Sequence, residues 1–566
     1  ALSLSPLFAF LWKKKPIIWF HDMNAHSLQY RYLMRLTTMM KFFGTVSDRK
    51  KNVQLCHQDL LEKEGVLTRF EDLPLGAFIM FVSHQWNGFQ HPDPNGVQID
   101  CMVKVFRRLR DGEIARVDTD PFHNILYKTN RVTRKKEWMQ LLSNAYIFYD
   151  FWSQPQPDVE PEDSPRRAKL EQDLKSAISS MGAYVERSDC LVVLVPGTTH
   201  VDRVNADTGR HEFTCYRTYR RRAFCVMEMT AANLSRRKTH PMLLIRSSEG
   251  VPQWVSSLES HKLAVGESSF TCCERNHEGV FEECDRDVVR GVLYRLIAKK
   301  AEYLFQSENV VLARLTMSQT SWFLRGLSYE NTQHSEQILR KLLRWDEEVD
   351  GKWFDRDGVS LLIYAIGYNQ MLVVKSLLKS LDAVTLKEDR TKLLVSAVPK
   401  KGFVEAGITG KMNALSVAMF MGTPEIVEML LDKGFDPMLS DVAGNHPFLF
   451  ACISNRIDNV KFWLKRFPEW DLEIPNRVVG GVALGCALYI GPNRFELVKL
   501  LLTKGARANS TSWNGTTHLI AQCANEDADP EVLELLLNCK NVDVNVQISG
   551  KTLKWKGLYV EVPLVL

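Results

Sequence analysis

A chain of 566 residues is long enough for roughly three to four domains at ~150 residues each, so one fold does not account for it. Hydrophobic residues at 45% and charged residues at 25% exclude wholesale disorder. Lys+Arg 72 against Asp+Glu 67, a formal charge of +5, excludes a nucleic-acid binder built on a basic stripe.

The 12 cysteines are scattered through the chain, which reads as reduced thiols of a cytoplasmic protein and not as a disulfide framework. At the start, the apolar run from Leu2 to Trp12 is too short to span a bilayer, and its positive charges follow it instead of preceding it as in a secretory signal. It reads as a buried segment, with the stub of a membrane helix as the alternative, and no other stretch has the length of a membrane helix. Helical periodicity, for instance around Leu28 to Phe43, predicts a helical N-terminal region over residues 1–75.

From Gly76 the texture changes. GAFIMFVSHQW is of strand length and apolar enough for a strand buried on both faces, and a helix is expected from Val97 to Leu109. A second strand, AYIFYDFWSQPQ, stops at Asp150. Ser164 and Pro165 suit the N-cap and first position of a helix carrying Leu170, Leu174, Ile178 and Met181. CLVVLVPG then gives a third strand, YRRRAFCVMEMTAANLSRR another helix and PMLLIRS a fourth strand. Strands alternating with helices predict a doubly wound, largely parallel sheet over 76–250. Such sheets bind ligands at the carboxyl ends of their strands, which puts Ser83, His84, Trp86, Asp150 and the loop after Pro196 on one rim.

Residues 251–345 read as a helical connector. From 346 to 566 the chain repeats itself. SLLIYA, NALSVA, HPFLFA, VALGCA and TTHLIA end at Ala365, Ala418, Ala451, Ala487 and Ala521, and each precedes a second apolar helix. Three of the four intervals lie close to a period of about 33 residues, and an insertion of about twenty residues falls near 381–411. Each pair must stack on its neighbours to bury its apolar face, leaving an extended surface for a partner.

Residues 76–250 resemble the Toll/interleukin-1 receptor (TIR) domain family, and the repeats resemble ankyrin repeats, about five of them. FVSHQW is similar to the first TIR strand, with Ser83 at its characteristic serine. FYD, ending at Asp150, is similar to the second strand, and LKSAISSM with CLVVLVPG to the helix and strand that follow. FCVMEM is similar to the family's Trp-Cys-x-x-Glu string. The resemblance implies a flavodoxin-like α/β domain beside an all-α ankyrin solenoid. It places Glu228 at the catalytic glutamate of the family's NAD-cleaving members, with Ser83, Trp86, Asp150 and Phe224 as substrate-binding residues. NAD is then a substrate and no cofactor is expected. The implied partners are a protein on the ankyrin surface and further copies of the chain through the TIR-like domain. Phe224 stands where the family usually has Trp, and Gln85 and Trp86 where it commonly has Arg. Two readings stay open, a TIR-type NAD nucleosidase and a non-enzymatic TIR-like/ankyrin scaffold.

The residues themselves give Glu228 a bland alternative as the one acid on a helix's polar edge. His84, His91 and Asp93 match no metal-ligand spacing and read as a hydrogen-bonded turn. Cys272, Cys273, His277 and Cys284 read as ordinary buried thiols, because adjacent cysteines suit a zinc knuckle poorly, so no metal is expected. Arg220, Arg221 and Arg222 read either as a pyrophosphate clamp or as the solvated start of a helix. No P-loop string and no G-x-G-x-x-G is present.

Overall fold

The computed structural model describes residues 32–546, apart from 122, 125–128, 162, 206–207, 237–239, 276, 278–283, 329–330, 346–352, 386, 489–493, 514, 524–527 and 541. The apolar run Leu2–Trp12 lies outside the described residues. The four expected strands form the parallel centre of a seven-stranded sheet. In chain order its strands are β1 (Tyr32–Arg35), β2 (Leu67–Arg69), β3 (Phe78–His84), β4 (Ala145–Tyr149), β5 (Cys190–Leu194), β6 (Met242–Ile245) and β7 (Gln253–Val255). Across the sheet the order is β7-β6-β5-β3-β4-β1-β2. Neighbours from β6 to β4 are parallel, while β7 on β6, β1 on β4 and β2 on β1 are antiparallel.

The period of two along each central strand divides its side chains between two cores. Met80 and Val82 of β3, Ile147 and Tyr149 of β4, Val192 and Leu194 of β5 and Leu243 and Ile245 of β6 lie in one core, with Ile99, Met102, Val105 and Phe106 of helix α1 (Val97–Asp111). Phe81, Phe148, Leu191, Val193 and Leu244 face the other way. There they meet α2 (Met181–Arg187) and α3 (Ala223–Asn233), with α4 (Asp285–Gln306) and α5 (Val310–Ser318) packed behind. Both faces of the sheet are covered, as a parallel sheet with apolar runs requires.

Two boundaries differ from the sequence reading. β1 and β2 belong to the expected helical N-terminal region yet extend the sheet, and Leu33 and Met34 of β1 fall in opposite cores. Likewise β7 belongs to the expected connector but closes the other edge. The connector's described helices pack behind α2 and α3 through α4, whose Val289, Val292 and Leu293 join the same apolar cluster, so the connector is part of the core. Two short hairpins stand outside the sheet, Arg116–Asp118 with Val132–Arg134 and Thr198–Val204 with His211–Thr214.

The C-terminal half consists of consecutive helix pairs. The first helices are Leu361–Gly367, Ala414–Met421, Pro447–Ile453, Ala483–Leu488 and His518–Cys523, each in contact with the next. Their partners are Met371–Asp382, Pro424–Asp432, Ile457–Arg466, Phe495–Thr503 and Pro530–Leu537. Helix Lys387–Val395 occupies the insertion between the first two pairs. Val289, Leu315, Tyr364, Ala418 and Phe450 join one apolar cluster with the Phe81 face of the sheet, so the two halves share a core. No helix among the described residues is long and apolar enough to cross a membrane.

Candidate functional site

Ser83 and His84 are consecutive in β3 and therefore point to opposite faces of the sheet. On the α3 face, the Ser83 hydroxyl donates to Glu228 Oε2, and Tyr219 OH lies 2.5 Å from Ser83 Oγ. With its one proton committed to Glu228, Ser83 accepts from the phenol. Ser83 is 1% exposed and Glu228 8%. Helix α3 is buried on nearly its whole circumference, from Ala223 to Ala232, with Phe224 partly exposed. Glu228 is therefore not the acid of a polar edge. Burial pushes its carboxyl up to about 8, helped by the charge of Asp150 and opposed by the Ser83 hydrogen bond.

Asp150 forms a second cluster on the opposite face. It opens the one-turn helix Asp150–Ser153 directly after β4. His84 Nε2 lies 2.9 Å from its Oδ1, and Trp86 Nε1 donates to its Oδ2 at 2.7 Å. Burial alone would raise this carboxyl, but the charge and hydrogen bond of His84, with those of Trp86 and Phe151 N, outweigh it and hold the group below its usual range. The His84 ring stacks on Tyr149 at 4.3 Å. The predicted site residues thus separate into Ser83 with Glu228, and Trp86 with Asp150, on the two faces of one strand end. Cys225 bridges them, its thiol directed at the His84 carbonyl at 3.4 Å.

Tyr219 has no place in the sequence reading. It ends the one-turn helix Tyr216–Tyr219, where Thr218 Oγ1 donates to Gln85 Oε1 at 2.8 Å and so ties the turn to the end of β3. Arg222 interrupts the helix before α3 begins, which hid the tyrosine from a periodicity reading. The arginine run itself is spent on carboxylates. Arg220 Nη1 lies 3.3 Å from Glu259, Arg221 Nη2 2.6 Å from Asp529 and Arg222 Nη1 3.1 Å from Glu274. A solvated helix start is therefore not what the structure contains. Asp529 belongs to the last helix pair, where it caps Pro530–Leu537 and also meets Arg217 at 3.6 Å. The C-terminal half thereby holds the turn that presents Tyr219.

Of the three residues expected in a hydrogen-bonded turn, His84 ends β3 and pairs with Asp150, while His91 and Asp93 form the turn. His91 Nε2 contacts the Val53 carbonyl at 2.9 Å, and Asp93 accepts from Ile99 N at 2.8 Å near the start of α1. Cys272, Cys273, His277 and Cys284 gather their ligand atoms within 4.8 Å of one another. Only Cys272 is buried, so the reading of these residues as ordinary buried thiols does not describe them. No family model matches the chain, and no curated protein matches it either.

Proposed function

We propose that this is an intracellular signalling protein whose TIR-like domain cleaves NAD to nicotinamide and ADP-ribose products, while the helix pairs act as ankyrin repeats that take a protein partner. One observation carries this reading. The Glu228 carboxyl meets Ser83 at the carboxyl end of β3, between β4 and β5, where the strand order reverses and open sheets bind their ligands.

Departure of nicotinamide needs little acid catalysis, because the ring leaves as a neutral molecule. The demand is on the ribose, which develops positive charge as in glycoside hydrolysis. A pre-positioned carboxylate stabilises that charge or holds the ribose hydroxyls. In the arrangement described, Glu228 is an acid at neutral pH and is closed onto Ser83. A cationic pyridinium entering beside it favours the carboxylate and draws it from the serine. Self-association of the TIR-like domain and a partner on the repeats are the events that open this contact, because Asp529 of the last pair braces the Tyr219 turn.

Burial of Ser83 and Glu228 favours a second reading, a cytoplasmic scaffold in which the pair is structural and the domain only assembles. Nicotinamide release from NAD by the full chain clustered on a support, wild type against Glu228→Ala, separates the two. Release by wild type that disappears in a folded variant is the expected result. No release from folded, clustered wild type overturns the enzymatic reading and leaves the scaffold.

A further inference from the structure

The loop that precedes α4 brings three thiols and an imidazole to one point. Cys272 and Cys273 lie in the one-turn helix Thr271–Glu274, and Cys284 is the residue immediately before α4. His277 has a φ of 62°, and its backbone N–H donates to the Cys272 carbonyl at 2.7 Å, which holds it beside the cysteines. The Sγ atoms form a near-equilateral triangle of 3.8 Å (Cys272 to Cys273), 3.9 Å (Cys272 to Cys284) and 3.6 Å (Cys273 to Cys284). His277 Nε2 sits 3.8 Å from Cys273 Sγ and 3.4 Å from Cys284 Sγ.

These separations are those of a tetrahedron about a zinc ion. Zn–S bonds of ~2.3 Å at the tetrahedral angle put sulfur atoms ~3.8 Å apart, and a Zn–N bond of ~2.0–2.1 Å puts the imidazole nitrogen ~3.6 Å from each sulfur. A disulfide would need a sulfur pair at ~2.05 Å, which none of the three approaches. Apolar burial does not explain the convergence either, because Cys273 and Cys284 are only partly buried and His277 is exposed. Four soft or borderline donors of this kind are the ligand set of a structural zinc site.

We infer that Cys272, Cys273, His277 and Cys284 bind one zinc ion, which fastens the loop to the start of α4. The consequence reaches the candidate site through Glu274, which stands in the same turn as the two cysteines. Glu274 receives Arg203 of the second hairpin at 2.5 Å and Arg222 at 3.1 Å, and Arg222 is the residue from which α3 begins. Ala223 N also donates to the Ser269 carbonyl, just before the zinc loop. The metal therefore stabilises the entry into the helix that carries Glu228, and the inference holds whether or not NAD is cleaved.

The test uses the purified full chain. Metal analysis after gel filtration is expected to return one zinc per chain. Replacement of zinc by cobalt should give thiolate-to-cobalt charge-transfer absorption in the near ultraviolet and the intense visible bands of a four-coordinate ion. Cys284→Ser should lose the metal. His277→Cys should keep it with a stronger charge-transfer band, so the assignment does not hang on a variant that fails to fold. Zinc-free native protein whose cobalt spectrum lacks thiolate bands would overturn the site, as would a native disulfide among the three cysteines found by mass spectrometry of the alkylated protein.

Discussion

Replacing Glu228 by Gln removes a buried acid and leaves a neutral side chain of nearly the same shape, which can still accept from Ser83. In the folded protein burial moves the Glu228 carboxyl from the usual 4.5 to about 8. On unfolding it returns to its ordinary value and ionises, so between these two limits the unfolded chain binds fewer protons than the folded one. Stability from this group is therefore fully present below about pH 4.5 and is lost as pH rises to about 8, above which the curve is flat. At ~1.4 kcal/mol per pH unit, the whole span is worth about 5 kcal/mol and the part spent by pH 7 about 3 kcal/mol. Glu228→Gln has no such proton to lose. Urea unfolding of wild type and variant at a series of pH values should show the variant gaining on wild type by several kcal/mol between about pH 5 and pH 8. A difference that stays constant over that range would refute the reasoning, because Glu228 would then be ionised inside the fold.

Asp529→Ala removes a carboxylate that is 2% exposed, accepts from Arg221, pairs with Arg217 at 3.6 Å and caps the last helix. A loss of about 2–4 kcal/mol is expected, since the arginines keep some access to water, and hydrogen exchange should quicken both in Pro530–Leu537 and in Tyr216–Tyr219. Faster exchange in the last helix alone would mean that the two halves are not braced there. A Cβ on Gly266 would sit 2.3 Å from the backbone carbon of Gly326. Gly266→Ala should therefore cost about 1–3 kcal/mol as the two loops are forced apart, and an unchanged melting temperature would contradict that close approach.

The central strands were legible because each carries enough consecutive apolar residues to be covered on both sides, and the helix pairs because five similar strings recur in register. The edge strands were not. β1 and β7 span four and three residues, too few to show a period, and their pairing is decided by partners far along the chain. Division of the rim into two faces was in principle readable, because Ser83 and His84 are adjacent and a strand alternates. What a linear reading lacked was Tyr219, whose place depends on the break at Arg222. It also lacked the convergence of Cys272, Cys273, His277 and Cys284, which depends on a left-handed residue and on where α4 starts. Adjacency of two cysteines argues against a familiar spacing, not against a tetrahedron.

The shared core has a consequence for synthesis. Phe81 in β3 and Ile297 in α4 belong to one apolar cluster, and at ~5–20 residues per second a ribosome takes on the order of 10–40 s to travel from one to the other. Once α2 and α3 have covered the finished strands, the outer apolar side of those two helices stays open to the cell until α4 and the helices beyond it are made. Nascent chains stalled between β6 and α4 should accordingly be the ones most often found bound to chaperones.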